Sequence, residues 1–178
     1  TGGICGINLD YATISGCSFS GEANGAYDTG GICGTNYGIV QNCYSTGSMS
    51  CDYCTVIYSN SSGAYAVGGI CGGNAGKISN CYFIGSLDSE VVPSVRDIID
   101  VSFGAISGIH PGGIENCFWD IQVTGIEDGV GINSVTMAGG GIAPNYRINL
   151  IGLPTSAMQD PGLYSAFGWT DGSWTIAE

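Results

Sequence analysis

The nine cysteines are the residues with the most chemistry to offer. Thiols form disulfides, hold soft metals or run redox cycles, and spacing decides among these. Cys51-Asp52-Tyr53-Cys54 is the one closely spaced pair. Structural zinc needs two such pairs, so one is half a site. No strand–helix–strand pattern surrounds it to suggest a thioredoxin-like centre. The other cysteines, Cys5, Cys17, Cys33, Cys43, Cys71, Cys81 and Cys117, recur at two fixed places of a repeat. Two accounts fit them. One is a disulfide within each repeat, pairing Cys5 with Cys17, Cys33 with Cys43 and Cys71 with Cys81, with Cys51 and Cys54 as further candidates. The other is columns of reduced thiols acting as small apolar core residues. Neighbours one strand apart in a stack lie about 4.8 Å away, beyond the Cβ separation of about 3.8 Å that a disulfide prefers. A bond would therefore fall within a repeat. Cys117 is expected to be a free thiol, because Ser107 stands where its partner would be.

Other reactive side chains are sparse. His110 is the single histidine and occupies a turn position, so no zincin motif exists. No G-x-S-x-G elbow is present for a hydrolase. Asp97 with Asp100, and Glu127 with Asp128, are carboxylate pairs of the kind a glycosidase uses, but both fall in loops and read as solvated. A polysaccharide lyase needs a basic residue to quench a carboxylate and take a proton. Lys77, Arg96 and Arg147 are the only cations of this kind and lie far apart in sequence. No catalytic residue and no cofactor is expected. Calcium is the one ion the acidic balance leaves open, as a weak site around Asp88, Glu90 and Asp97. Asn60-Ser61-Ser62 is a glycosylation sequon.

What positions these residues is a repeat. GGICG occurs at Gly2 to Gly6, Gly30 to Gly34 and Gly68 to Gly72. A degenerate fourth copy, GAISG, starts at Gly104. Successive copies start 28, 38 and 36 residues apart, the longer periods holding insertions over 50–66 and 88–101. Each copy carries two short strand-like pieces around a Gly/Asn turn. In the third copy, period-two alternation from Cys81 places Ser79 and Phe83 inward, and Asn80 and Tyr82 outward. No helical stripe appears before Asp120. One such unit cannot bury a core, but stacked units can. The predicted fold is all-β, a right-handed parallel β-helix of about five rungs. Residues 1–120 form the repeats and 121–178 a closing segment with a short helix near Thr155, the candidate N-cap. Asn8, Asn36 and Asn74 form one repeated row, and Asn42, Asn80 and Asn116 another, both suited to amide ladders. Tyr44, Tyr82 and Phe118 form an aromatic row, a candidate contact face for a sugar or a protein if left uncovered. Gly69→Val is expected to destabilise the fold by more than about 1 kcal/mol if Gly69 needs a positive φ.

The second copy, GGICGTNYGIVQNCYSTGS from Gly30 to Ser48, resembles the GLUG-motif repeat of bacterial surface proteins. That pattern runs G-G-hydrophobic-x-G-x-N-x-G-x-I-x-N-C-Y-S-T-G. Asn116-Cys117-Phe118-Trp119-Asp120 and the stretch from Leu153 through Trp169 and Trp174 are similar to the family's closing segment. The first cysteine of each repeat and the long insertions depart from the pattern. The resemblance implies a secreted or surface-anchored, often adhesin-like, bacterial protein.

Composition narrows the partners. Three cations against 15 carboxylates give a net charge of −12, which excludes a phosphate-binding groove for nucleic acid. No apolar run reaches the length of a membrane helix, so no membrane insertion is expected. Only Thr1 precedes the first repeat, so the sequence predicts an uncapped solenoid end. The leading expectation is a non-enzymatic extracellular or cell-surface module, structural or adhesive, with a protein or glycan ligand. The alternatives are a filament subunit that stacks head to tail on itself, and a carbohydrate-active enzyme.

Overall fold

The computed structural model describes residues 1–51, 65–88, 101–109, 112–132, 146–167 and 169. Short strands follow one another around a coil, and each coil pairs in parallel with the next. Rung one holds β1 (Cys5–Asn8), β2 (Thr13–Ser15), β3 (Ser18–Phe19) and β4 (Glu22–Asn24). Rung two holds β5 (Thr29–Gly30), β6 (Cys33–Asn36), β7 (Ile39–Gln41), β8 (Tyr44–Ser45) and β9 (Ser48–Ser50). Rung three repeats this with β10 (Tyr65–Gly68), β11 (Cys71–Asn74), β12 (Lys77–Ser79), β13 (Tyr82–Phe83) and β14 (Ser86–Asp88). Rung four is β15 (Val101–Gly104), β16 (Ser107–Ile109) and the longer β17 (Gly113–Asp120). The closing segment contributes a fifth rung, β18 (Val130–Ile132) on β16 and β19 (Tyr146–Leu153) on β17. The molecule is thus the expected parallel β-helix, with four sheets running along its axis.

Register follows the repeat. Cys5 pairs with Cys33, Cys33 with Cys71, and Cys71 with Ser107. The core is correspondingly columnar. Ile32, Ile70 and Ile106 are buried in one column, and Val40, Ile78 and Ile114 in another. Cys43, Cys81 and Cys117 form a third. Removing these side chains from water is the main favourable term in holding the rungs together.

The alternation inferred around Cys81 needs one correction. Phe83 is buried as expected and Ser79 is buried at 9% exposure, but Ile78, in register with Val40 and Ile114, fills the apolar core on the other side of Asn80. The cause is backbone geometry. Asn42, Asn80, Asn116 and Asn149 have φ of 54, 51, 50 and 52°, and Gly16 has 65° at the same corner of rung one. A left-handed residue interrupts the period of two, so the faces reset there. Asn and Gly tolerate this conformation better than other residues.

Gly69 also differs from expectation. Its φ is not positive. A Cβ there would lie 2.2 Å from the Ala105 carbonyl oxygen and 2.3 Å from the Phe83 ring. The glycine is needed because an aromatic from the opposite wall presses on the backbone. Gly3 and Gly31 meet Phe19 and Ser45 in the same way, so the solenoid is thin at this wall.

After β17, Asp120 caps α1 (Ile121–Thr124), its Oδ1 accepting from the Gln122 and Val123 amides at 2.9 and 3.0 Å. After β19 come α2 (Thr155–Met158) and α3 (Pro161–Ala166). Thr155 is not the N-cap of α2. Pro154 holds that place with no side-chain bond, and the Thr155 amide donates to Gln122 Oε1 at 3.0 Å instead.

Candidate functional site

The thiols come first. Cys5, Cys17, Cys33, Cys43, Cys71, Cys81 and Cys117 are all free, so the in-rung disulfides Cys5–Cys17, Cys33–Cys43 and Cys71–Cys81 do not form. The physical reason is where the sulfurs point. Cys33 Sγ donates to the Thr35 carbonyl at 3.1 Å, and Cys43 Sγ to the Gln41 carbonyl at 3.1 Å. Cys81 and Cys117 do the same to Ser79 and Glu115, at 3.2 Å each. Each thiol thus satisfies a carbonyl of its own strand and stacks on the thiols of neighbouring rungs. Ser107, in the Cys71 column, keeps the pattern by donating to the Ile109 carbonyl at 2.8 Å. Burial holds the Cys71 and Cys81 thiols well above their ordinary pKa, which leaves them protonated and poor nucleophiles. Cys33 is lowered, through the hydrogen bond it shares with Cys71. Cys51 is disulfide-bonded and 1% exposed, and Cys54 lies outside the described residues.

The asparagine rows are ladders. Asn8 Nδ2 donates to Asn36 Oδ1, and Asn36 Nδ2 to Asn74 Oδ1, both at 2.8 Å and fully within the protein. Asn74 Nδ2 continues to the Gly113 carbonyl at 3.3 Å. The outer ladder runs Asn149 to Asn116 to Asn80 to Asn42, at 2.8, 3.3 and 3.2 Å. Asn149 is a member the repeat count misses. In β19 Arg147 stands opposite Ile114 and Ile148 opposite Glu115, so the I-x-N pattern of the other rungs is lost and only the structural register identifies Asn149.

The aromatic row is in register, Tyr44 to Tyr82 to Phe118, with the two tyrosine rings stacked at 4.9 Å and 4°. It is not an open strip. Phe118 is 0% exposed, covered by Tyr164, Phe167 and Trp169 with ring centroids at 6.0, 5.1 and 5.7 Å. Trp169 also leans on Tyr82 and donates Nε1–H to the Asn116 carbonyl at 3.2 Å. Desolvation accordingly pushes the Tyr82 hydroxyl up to about 12. The segment from α2 to Trp169 covers the Phe118 end of the row, so Phe118 is withdrawn as a contact residue.

Exposed apolar surface gathers elsewhere, at the corner between β1–β2 and β6–β7. Rung one carries two more residues there than rung two, and they form a turn in which the Ala12 amide donates to the Leu9 carbonyl at 3.1 Å. Tyr11 sits in this turn with φ of 66° and is fully exposed. A bulky residue held left-handed in solvent costs about 1–2 kcal/mol with no packing to offset it. Ile7, Leu9, Tyr37 and Ile39 are also exposed at this corner. The backbone bonds Tyr37 N to Asn8 O (2.8 Å) and Ile39 N to Ala12 O (2.9 Å) join its two rungs. No sequence period marks Tyr11, because it stands in the one place where a copy breaks the pattern.

The remaining candidates do not assemble into a centre. Glu127 and Asp128 are exposed beside one another, and Asp88 is exposed at the end of β14. His110, Glu90, Asp97, Asp100 and the sequon at Asn60 lie outside the described residues. Lys77 pairs with Glu115 at 2.6 Å across rungs three and four. Among the described residues no group of three or more His, Cys, Asp or Glu is placed to hold a metal ion. No described helix is long and apolar enough to cross a membrane.

No curated protein and no solved structure matches the chain. The family model of the GLUG motif matches residues 25–50 and 63–88. These spans coincide with the coils of rungs two and three, including both Gly-Gly corners, both thiol columns and both asparagine ladders. The second and third rungs of this β-solenoid are GLUG motifs.

Proposed function

We propose that the chain is a non-enzymatic structural and adhesive module of a cell surface or extracellular protein, and that its contact face is the corner carrying Tyr11. The observation that carries this reading is the strained, fully exposed Tyr11 flanked by Ile7, Leu9, Tyr37 and Ile39. The repeat's own polar side chains support it, because the asparagines and thiols are engaged in axial ladders and strand carbonyls. A face that mixes tyrosine with three aliphatic side chains suits a protein surface better than a sugar ring, whose CH face stacks on aromatics. The net charge of −12 favours a basic partner by long-range attraction. The test is adhesion of the purified chain to surfaces coated with proteins of graded charge or with neutral glycans. Each surface is probed beside Tyr11→Ser. Binding to the protein surfaces that falls at least about tenfold in a variant melting at the wild-type temperature supports the reading. Equal binding by the two chains refutes the face.

A further inference from the structure

Two of the buried thiols stand where a disulfide does not reach but a metal ion does. Cys33 on β6 and Cys71 on β11 are direct partners in the parallel register of rungs two and three. Both are 0% exposed and belong to the core cluster that holds Ile32, Ile70, Val40 and Ile78. Their sulfurs share a hydrogen bond, and it outweighs the one Cys33 makes to its other column neighbour, Cys5. Successive rungs lie about 4.8 Å apart, beyond the reach of an unstrained disulfide. Two metal–sulfur bonds of about 2.3 Å laid end to end span about 4.6 Å, which matches the rung.

We propose that Cys33 and Cys71 form a two-coordinate site for copper(I), held in line between rungs two and three. Copper(I) is a soft monovalent ion that accepts two sulfurs in a line, and thiolates select it. The aliphatic walls offer none of the oxygen ligands that calcium or magnesium needs. Zinc takes four ligands, and among the described residues no group of three or more His, Cys, Asp or Glu is placed to hold a metal ion. Ser107 follows Cys71 in the column and ends the run of sulfur with a hydroxyl. The Cys43–Cys81 pair is less suited, because its sulfurs lie 4.0 and 3.9 Å from the Ile14 and Val40 carbonyls of the preceding rungs, which puts oxygen beside the gap. On binding, two S–H bonds break, both protons go to solvent and two S–Cu bonds form, with no change of oxidation state. The pair is left with one net negative charge, next to backbone donors of Asn8 and Thr35 that already reach Cys33. The inference is independent of the Tyr11 face.

The experiment titrates the native chain with copper(I) in the absence of oxygen, against a chromophoric copper(I) chelator. X-ray absorption then counts the sulfurs around the bound ion. The parent chain is expected to hold copper(I) against the chelator with two sulfur neighbours, and to melt at a higher temperature with the ion than without it. Ser107 shows that this column accepts serine, so Cys71→Ser is expected to fold. Cys71→Ser and Cys33→Ser should each weaken binding by more than the roughly 100-fold that an outer-shell change can cost. Cys5→Ser and Cys81→Ser should stay within about tenfold of the parent. Circular dichroism checks the fold of each variant, and the sulfur count on the parent decides the matter if a variant fails to fold. Four results overturn the proposal: no copper(I) retained by the folded parent, three or more sulfur neighbours, folded Cys71→Ser binding as tightly as the parent, or Cys5→Ser or Cys81→Ser losing as much affinity as Cys71→Ser.

Discussion

Asn36→Ala is the most informative single substitution. Asn36 is 0% exposed, and its amide makes four hydrogen bonds. It accepts from Asn8 at 2.8 Å and donates to Asn74 at 2.8 Å, to the Gly38 carbonyl at 3.3 Å and to the Lys77 carbonyl at 3.2 Å. Truncation deletes these at once. Asn8 Nδ2 keeps the Ala12 and Ile39 carbonyls as acceptors, so its loss is partial. Asn74 Oδ1 loses its Asn36 donor in a buried setting. A net value of about 1 kcal/mol for each of the two short bonds, with about 1–3 kcal/mol for the donor lost to the buried Asn74 amide, gives a cost of about 3–5 kcal/mol. That is a large share of a typical domain's stability. The control is Asn149→Gly, which keeps the left-handed corner and removes one exposed bond, at about 0.5–1 kcal/mol. Urea unfolding of both variants, with unchanged slope, gives the comparison. An Asn36→Ala loss under about 1 kcal/mol, or no larger than that of Asn149→Gly, would refute the view that the inner amides hold adjacent rungs.

Three other outcomes are expected. Gly69→Ala should lower stability by about 2–3 kcal/mol, because its Cβ would meet the Ala105 oxygen and the Phe83 ring; a thermal midpoint like that of wild type would count against the close wall. Asn80→Ala should be about 1 kcal/mol less stable than Asn80→Gly, since both lose the ladder bonds but only alanine resists φ of 51°; equal urea midpoints would remove the strain argument. The third concerns alkaline pH. Cys71 and Cys81 have raised folded-state pKa values, so their contribution is intact below the unfolded thiol value of about 8.5 and is lost as pH rises above it. Each should cost on the order of 1 kcal/mol by pH 9.5, and Cys71→Ser should flatten the pH dependence of melting by about that amount. A Cys71→Ser profile parallel to wild type would contradict the buried-thiol assignment.

Much of the solenoid was legible because its determinants recur. Gly-Gly, the two cysteine positions and the two asparagine positions each return once per coil, and parallel register then follows from repeat alignment. What escaped was what happens once. The fifth rung is split between β18 and β19, with a long interval between them, so no period announced Asn149. The covering of Phe118 by Trp169 joins residues far apart in sequence, and a repeat reading sees only the row, not its lid. Ile78 was missed because period-two reasoning assumes unbroken extended backbone, whereas Asn80 is left-handed. The thiols could not be assigned from spacing, because a strand carbonyl can satisfy a buried S–H as well as a partner sulfur can. Tyr11 was hidden for the opposite reason: it is the departure from the repeat that carries the exposed corner.

The central claim is that the repeated polar residues hold coil to coil. Hydrogen exchange of the side-chain amides, followed by NMR on the native chain, tests it most directly. The account predicts that the Asn36 amide exchanges only with global unfolding, far more slowly than the exposed Asn149 amide. Exchange of Asn36 at the rate of Asn149 would contradict it.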